Sequence, residues 1–329
     1  MIATDDSSNQ PTCEPPTGAC GRRTALLVVV IVAVFAGSGW LKSRLADARA
    51  VPACPADCRR IIAAAPSVTE TLFALGLGDR VVGVSRYCNY PPEACDRPRV
   101  GGMFDPNIEA ICALRPDLII MPKSTEGLAD DFRKLGLATL VVDHRDLEGV
   151  FESIETIGRV CRVEKTASDM VGRLRSRLAR VTEKSAGLAR PRVLISFDRI
   201  PGQGHLEDFY VVGSSPQFNS ILKWAGGRNV FEKTPEAFFV VSREAFFKAN
   251  PEVIIDLIPA ARVPRGGTDA CLQDWDELVG IDAIEKGRIH VLTEDYALVP
   301  GPRFILLVEK LARLLHPEVD WEEEVRSVK

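Results

Sequence analysis

Histidine is scarce in this chain: four in 329 residues, at positions 144, 205, 290 and 316, too scattered to converge on one ion. No CxxC pair occurs and no histidine lies near a cysteine pair, so the spacing of a structural zinc site is missing. The chain has no G-x-S-x-G elbow, P-loop or H-E-x-x-H, and Gly202-Gln203-Gly204 is a lone GxG in loop-like sequence. No face-sized basic cluster appears and the formal net charge is −4, which argues against nucleic acid as a partner. What remains is ordinary globular composition, 46% hydrophobic and 26% charged, with length enough for two lobes.

One segment lacks charge altogether. Thr24 to Leu41 runs eighteen residues without an ionisable side chain, directly after Arg22-Arg23. As a helix it spans roughly 27 Å, enough to cross a bilayer core. The basic pair places the leader, residues 1–23, in the cytoplasm and everything after 41 outside. Two readings stand: an uncleaved membrane anchor over 24–41, which we prefer, or a signal peptide cleaved after Ala48-Arg49-Ala50. Residues 42–58 form a polar linker rich in alanine and proline. Seven of the nine cysteines lie beyond the apolar run, and Cys54 with Cys58, and Cys88 with Cys95, are close candidates for disulfides in an oxidising compartment.

Short apolar strands then alternate with helices. Arg59 to Ala65 reads as a strand, Ser67 and Glu70 match a capping box that opens a helix, and Val81 to Val84 reads as the next strand. The cycle repeats through strands at 117–121 and 139–142, which predicts a parallel α/β lobe over 59–145. The second half repeats the first. Glu109-Ala110, Pro116-Asp117 and Ile119-Ile120 recur as Glu244-Ala245, Pro251-Glu252 and Ile254-Ile255 in one register. Leu75-Gly76 is echoed by Ala225-Gly226-Gly227, and Leu135-Gly136 by Lys286-Gly287. The first copy carries about fifteen extra residues, mostly Ser85 to Arg99. Between the copies, residues 146–189 keep helical spacing and break at Arg162 to Lys165, giving two helices, the second a long one from about 165 to 188. The fold class is therefore α/β: two Rossmann-like parallel-sheet lobes, the second over 190–329, joined by one long helix and preceded by an N-terminal hydrophobic helix. A ligand would sit between the lobes.

The sequence resembles the helical-backbone periplasmic binding proteins for cobalamin, ferric siderophores and haem, and most of all their cobalamin-binding branch. Ala65-Pro66-Ser67-Val68-Thr69-Glu70, the stretch Val82 to Pro92, Asn107-Ile108-Glu109-Ala110-Ile111 and Leu114 to Ile120 carry the resemblance, with Ala225 to Phe231, Val241-Ser242-Arg243-Glu244 and Asn250 to Ile255 in the second lobe. It implies the substrate-binding subunit of an ABC importer and no enzyme. The subunit works with a permease dimer and its ATPase, has no resident cofactor, and carries a cobalamin-like metal chelate as cargo. It further implies that Glu109 and Glu244 dock onto permease arginines, a charge-assisted contact specific in orientation. Tyr87 falls on the tyrosine that such proteins lay against a flat ring; Phe104, Phe238, Tyr296, Arg303 and Ser67 complete the expected cleft. Phe238 and Phe239 are adjacent in a strand, so at most one of them faces that cleft. Where cobalamin binders place tryptophans, this chain has Met103-Phe104, Pro122, Phe238-Phe239 and Tyr296, which leaves haem and siderophores as alternative cargoes. An extracytoplasmic enzyme or a ligand sensor is the alternative of another class. His144 and His290, at or beside strands, read as structural residues.

Overall fold

Apolar triplets and quintets build the sheets from Ile61 onward. The computed structural model describes residues 58–206 and 209–321; the leader, the apolar run at 24–41, Cys54 and nearly all of the linker lie outside them. Among the described residues no helix is long and apolar enough to cross a membrane. The first lobe runs β1 (Ile61–Ala63), α1 (Pro66–Ala74), β2 (Val81–Val84), α2 (Ile108–Ala113), β3 (Leu118–Pro122), α3 (Glu126–Lys134) and β4 (Thr139–Val142). Its strands are all parallel, in the order β2-β1-β3-β4. Two helices follow, α4 (Leu147–Val160) and α5 (Glu164–Lys184). The second lobe runs β5 (Arg192–Phe197), β6 (Tyr210–Val212), α6 (Pro216–Trp224), β7 (Arg228–Asn229), β8 (Phe238–Val240), α7 (Arg243–Ala249), β9 (Val253–Leu257), α8 (Gly267–Gln273), α9 (Asp282–Glu285), β10 (Ile289–Leu292) and α10 (Phe304–Leu315).

Side-chain alternation decides which face each strand residue covers. Ile61, Ala63, Leu118 and Ile120 join Val193, Ile195, Val253 and Ile255 in one core that extends through α4, α5 and α10. Ile62, Ile119 and Met121 face the opposite side of the first sheet, and Leu194 and Ile254 that of the second. Helix α5 is 21 residues, about 32 Å at 1.5 Å per residue. Its buried stripe, Ala167, Met170, Val171, Leu174, Leu178 and Val181, packs on α4, α6 and α10, so it touches both lobes.

The second sheet departs from the expected all-parallel one. β7 and β9 pair parallel with β5 and β10 with β9, but β6 pairs antiparallel with β5, and β8 with β6. After β5 the chain turns at Asp198 (φ 51°) and passes Gly202 and Gly204, both left-handed, before returning as β6 without a helical crossover. A direct return of this kind gives an antiparallel strand.

The duplication extends to backbone detail. Asn107 accepts from Ala110 N and Ser242 from Ala245 N, so α2 and α7 are capped alike, two residues ahead of Glu109 and Glu244. Each helix ends in a left-handed residue before proline, Arg115 at φ 45° and Asn250 at φ 37°. Asp117 Oδ2 then accepts from Arg59 N and Arg60 N at 2.7 and 3.0 Å, as Glu252 Oε2 accepts from Arg192 N at 2.8 Å. The capping box is not formed. The residue before a proline favours extended backbone, and Ala65 takes it (φ −151°, ψ 156°), so Pro66 is the first helical residue and Ala65 the cap. Ser67 and Glu70 thus fall inside α1, both buried, and make tertiary contacts instead.

Candidate functional site

A cavity of about 710 Å³ opens between the lobes. The first lobe lines it with Ala65, Pro66 and Ser67 at the start of α1, Tyr87 after β2, Met103 and Phe104, Pro122 at the end of β3, and His144 after β4. The second lobe adds Ser215, Pro216, Gln217, Phe238 and the 298–300 segment. Its position follows from the fold, because ligands in parallel α/β sheets gather at the carboxyl ends of strands. Two of the aromatics are strongly exposed, Tyr87 at 58% and Phe104 at 67%, and Phe238 stands 46% exposed. Phe238 leans edge-on against Phe197 at 5.2 Å between centroids, while Phe239 packs on Phe231 at the opposite face. The alternation expected of that strand pair is what the sheet shows.

Polar groups are few in this wall. His144 Nδ1 lies 2.8 Å from Ser67 Oγ, and its Nε2 is buried with no hydrogen-bond partner among the described residues. Burial pushes the imidazole down to about 4, so it is neutral at ordinary pH. At the mouth Arg145 grips Asp143 in a fork, Nε to Oδ1 at 2.9 Å and Nη2 to Oδ2 at 2.5 Å, and Lys123 Nζ stands 3.5 Å from the same carboxylate. The Arg145 hydrogen bond holds Asp143 at about 2. Lys123, Ser124, Arg145, Ser215 and Gln217 are polar lining residues that sequence patterns missed, and His144 had read as structural; a lone imidazole beyond a strand carries no signature of its own.

Arg303 and Tyr296 do not line this cavity. Arg303 instead joins the lobes: Nε and Nη2 donate to Glu70 of α1 at 3.0 and 2.6 Å, and Nη1 and Nη2 to Asp295 at 2.9 and 3.0 Å. The Tyr90 ring covers the guanidinium at 3.6 Å, and Tyr296 lies 5.7 Å away while packing on the core. The lobes approach so closely that a Cβ at Gly301 would stand 2.9 Å from Glu70 Oε2. Burial pushes the Glu70 carboxyl above its usual value despite Arg303, whereas the hydrogen bond from Arg303 pulls Asp295 below its own. Four of the five N–H donors of this guanidinium are taken up by Glu70 and Asp295, and Arg303 is held between the lobes and not in the cavity wall.

Cys88 and Cys95 are not bridged. Cys88 is buried between Thr69 Oγ1 (3.1 Å) and Ser85 Oγ (3.3 Å), Cys95 is exposed near Asn89 O, and both thiols are free. The extra loop is tied by Arg99 instead, whose Nη1 donates to Ser85 O and Cys88 O. Cys58 is disulfide-bonded, and the other described cysteines are free. Glu109 and Glu244 are exposed in the first turns of α2 and α7, one on each lobe and neither lining the cavity.

Comparison with known proteins agrees with this geometry. An uncharacterized ABC transporter substrate-binding lipoprotein of Bacillus subtilis (strain 168) is 30% identical over 267 residues, covering 79% of this chain and 81% of its own. A vitamin B12-binding protein of Photorhabdus laumondii is 25% identical over 261 residues, 78% of this chain and 88% of that one. The solved structure of a periplasmic haem-binding protein, BhuT, in complex with two haems superposes with a TM-score of 0.69 at 25% identity, over 78% of this chain and 98% of that one. The family model described as periplasmic binding protein matches residues 61–296, and with two duplicated lobes around one cleft the chain belongs to the periplasmic binding protein family.

Proposed function

We propose that this chain is the substrate-binding subunit of an ABC importer, working outside the cytoplasm, that captures a flat cobalamin- or corrinoid-like metal chelate between its lobes. The observation that carries the reading is the cavity itself: Tyr87 and Phe104 from one lobe and Phe238 from the other offer exposed rings to a planar ligand. The B12-binding relative supports the corrinoid. An iron porphyrin is the second reading, favoured by the fold shared with the haem-bound BhuT. Visible spectra of the purified protein incubated with cobalamin, haem or a ferric siderophore decide among them. Cobalamin retention at one equivalent is expected; retention of the siderophore alone overturns both ring readings.

Delivery follows from the paired carboxylates. Glu109 and Glu244 occupy equivalent capped helix starts, and each docks on an arginine of the permease, whose ATPase drives uptake. The double substitution Glu109→Ala, Glu244→Ala leaves ligand affinity unchanged and weakens permease binding by about 2–5 kcal/mol per site. Normal uptake by the double variant would remove the assignment. The uncharged run at 24–41 anchors the protein or exports it before cleavage. Labelling of Lys165 from outside intact cells is the expected result.

A further inference from the structure

A second hollow, of about 280 Å³, lies where α5 meets α10 and shares no lining residue with the cleft. Its charged lining is Arg177, Arg180 and Lys184 of α5 with Glu309 and Arg313 of α10, and Trp321 stands beside them. Residues 177, 180 and 184 share one face of α5, and 309 and 313 one face of α10, so helical spacing builds the groove. Four cations meet one carboxylate there, an excess of three positive charges in a chain whose net charge is −4. Arg177 forks onto Glu309 at 2.8 and 2.7 Å, and Arg313 is exposed with no ion partner among the described residues. Cations held this close repel one another unless an anion joins them.

We propose that the acidic run Glu322-Glu323-Glu324 docks in this groove and straps α5 to α10. Trp321 lines the groove and its Nε1 donates to His316 O at 3.0 Å, while Lys184 Nζ donates to Asp320 O at 3.0 Å. The chain is therefore tied to the groove immediately before the run begins. At about 3.5 Å per residue, all three glutamates start within roughly 10 Å of Trp321. Three carboxylates match the excess of three cations, and no basic residue stands among them; Arg326 and Lys329 come only afterwards. Residues 322–329 lie outside the described ones; the groove, its charge and the tether at Trp321 do not. One surface ion pair is weak, but carboxylates on a tethered segment act together, because each contact raises the effective concentration of the next. Since α5 packs on both lobes and α10 belongs to the second, the strap fastens the joint to the second lobe. It does so whatever cargo the cleft holds.

Treatment of the full chain with a carbodiimide reads the contact directly. It joins an amine to a carboxylate it touches as an amide, and the carbodiimide takes up the lost water as a urea. Peptide mass spectrometry is expected to find Lys184 linked to one of Glu322, Glu323 and Glu324 at low ionic strength. The link should vanish at about 1 M salt, where the screening length falls to about 3 Å. The triple substitution Glu322→Gln, Glu323→Gln, Glu324→Gln opens the groove to outside anions. Inorganic tripolyphosphate should bind that variant about tenfold more tightly than wild type in calorimetry, and adding Arg313→Gln should remove the gain. The melting temperature of each variant reports that it is folded. A link from Lys184 to Asp320 alone overturns the strap, as does equal tripolyphosphate affinity in wild type and triple variant. Wild-type binding to phosphatidylglycerol vesicles that Arg313→Gln abolishes also overturns it, because the groove then serves a lipid surface. None of these outcomes bears on the cargo reading.

Discussion

The two lobes descend from one pattern and spend it differently. Counting from the shared proline-acidic start of each strand, Met121 of β3 corresponds to Asp256 of β9. Met121 lies in an apolar cluster with Ile62, Val100 and Ile111. Asp256, fully buried, accepts from Ser196 Oγ at 2.8 Å, Arg199 Nε at 2.9 Å and Trp275 Nε1 at 3.2 Å. Arg199 also reaches Asp274, whose carboxylate takes the backbone N–H groups of Gly202 and Gly204 at 2.7 Å each. In the first lobe β1 feeds a helix at once; in the second this ion cluster pins the detour that returns as β6. That detour gives β8 an edge to pair with, and Phe238 its place in the cleft. The first lobe uses its own extra loop to the same end, since Tyr87 lies between Ser85 and Arg99. A duplicated scaffold acquires a site through the parts that are not duplicated.

The contrast between Met121 and Asp256 yields the largest expected effect. Asp256→Ala leaves Arg199 buried with half its partners, and urea unfolding should register a loss of about 3–5 kcal/mol. Met121→Leu in the matching place should cost less than about 1.5 kcal/mol. Equal costs would mean that the two positions are held in the same way.

Next comes the ion pair that joins the lobes. Arg303→Ala strands Glu70 in the interior and should cost about 3 kcal/mol at pH 7. Glu70→Gln should cost under about 1 kcal/mol, because burial already favours the neutral form and Asp295 still holds the guanidinium. The pH dependence has a definite sign. Glu70, raised above its usual 4.5, takes up a proton in the folded chain before the unfolded one, so its contribution to stability grows as pH falls towards that value. Asp295, lowered by Arg303, contributes stability that is present above its usual 3.8 and lost as pH falls through its depressed range. The deficit of Arg303→Ala should therefore shrink between pH 7 and pH 4.5 in thermal unfolding; a constant deficit would show that packing, not charge, is lost.

The cleft aromatics come last. Phe104→Ala should leave unfolding unchanged and weaken ligand binding by about 1–3 kcal/mol, as for a large aromatic removed from contact. Phe238→Ala should weaken binding as much and also lower stability by about 1 kcal/mol, since its ring meets Phe197 and Phe218. Titration calorimetry beside thermal unfolding separates the two effects.

Local signals were readable and distant ones were not. The duplication shows in the chain because each repeat is written within a few residues: a capped helix start, a left-handed end, a proline and a carboxylate. Tyr87, Phe104, Phe238 and Ser67 were placed in the cleft by the family resemblance and not by these local signals, and all four line the cavity. Arg303 was misread because Glu70, 233 positions away, absorbs it, and no local pattern encodes that meeting. The capping box failed for the opposite reason: Pro66, one residue earlier, overrides the Ser67 cap. His144 read as structural, and its place in the cavity wall is a fact of packing that no local motif announces.

Helix α5 has one further consequence. Its apolar stripe is embedded along its length, and Arg177 forks onto Glu309 of α10 while Arg175 forks onto Glu148 of α4, so the joint has no slack segment. On the docking proposed above, Glu109 and Glu244 then act as two pins of a plug at a fixed gauge. Spin labels at the two positions should report one distance whether the cleft is filled or empty. A membrane partner that felt only the gauge would receive no message about cargo; that message has to come from the mouth of the cleft itself.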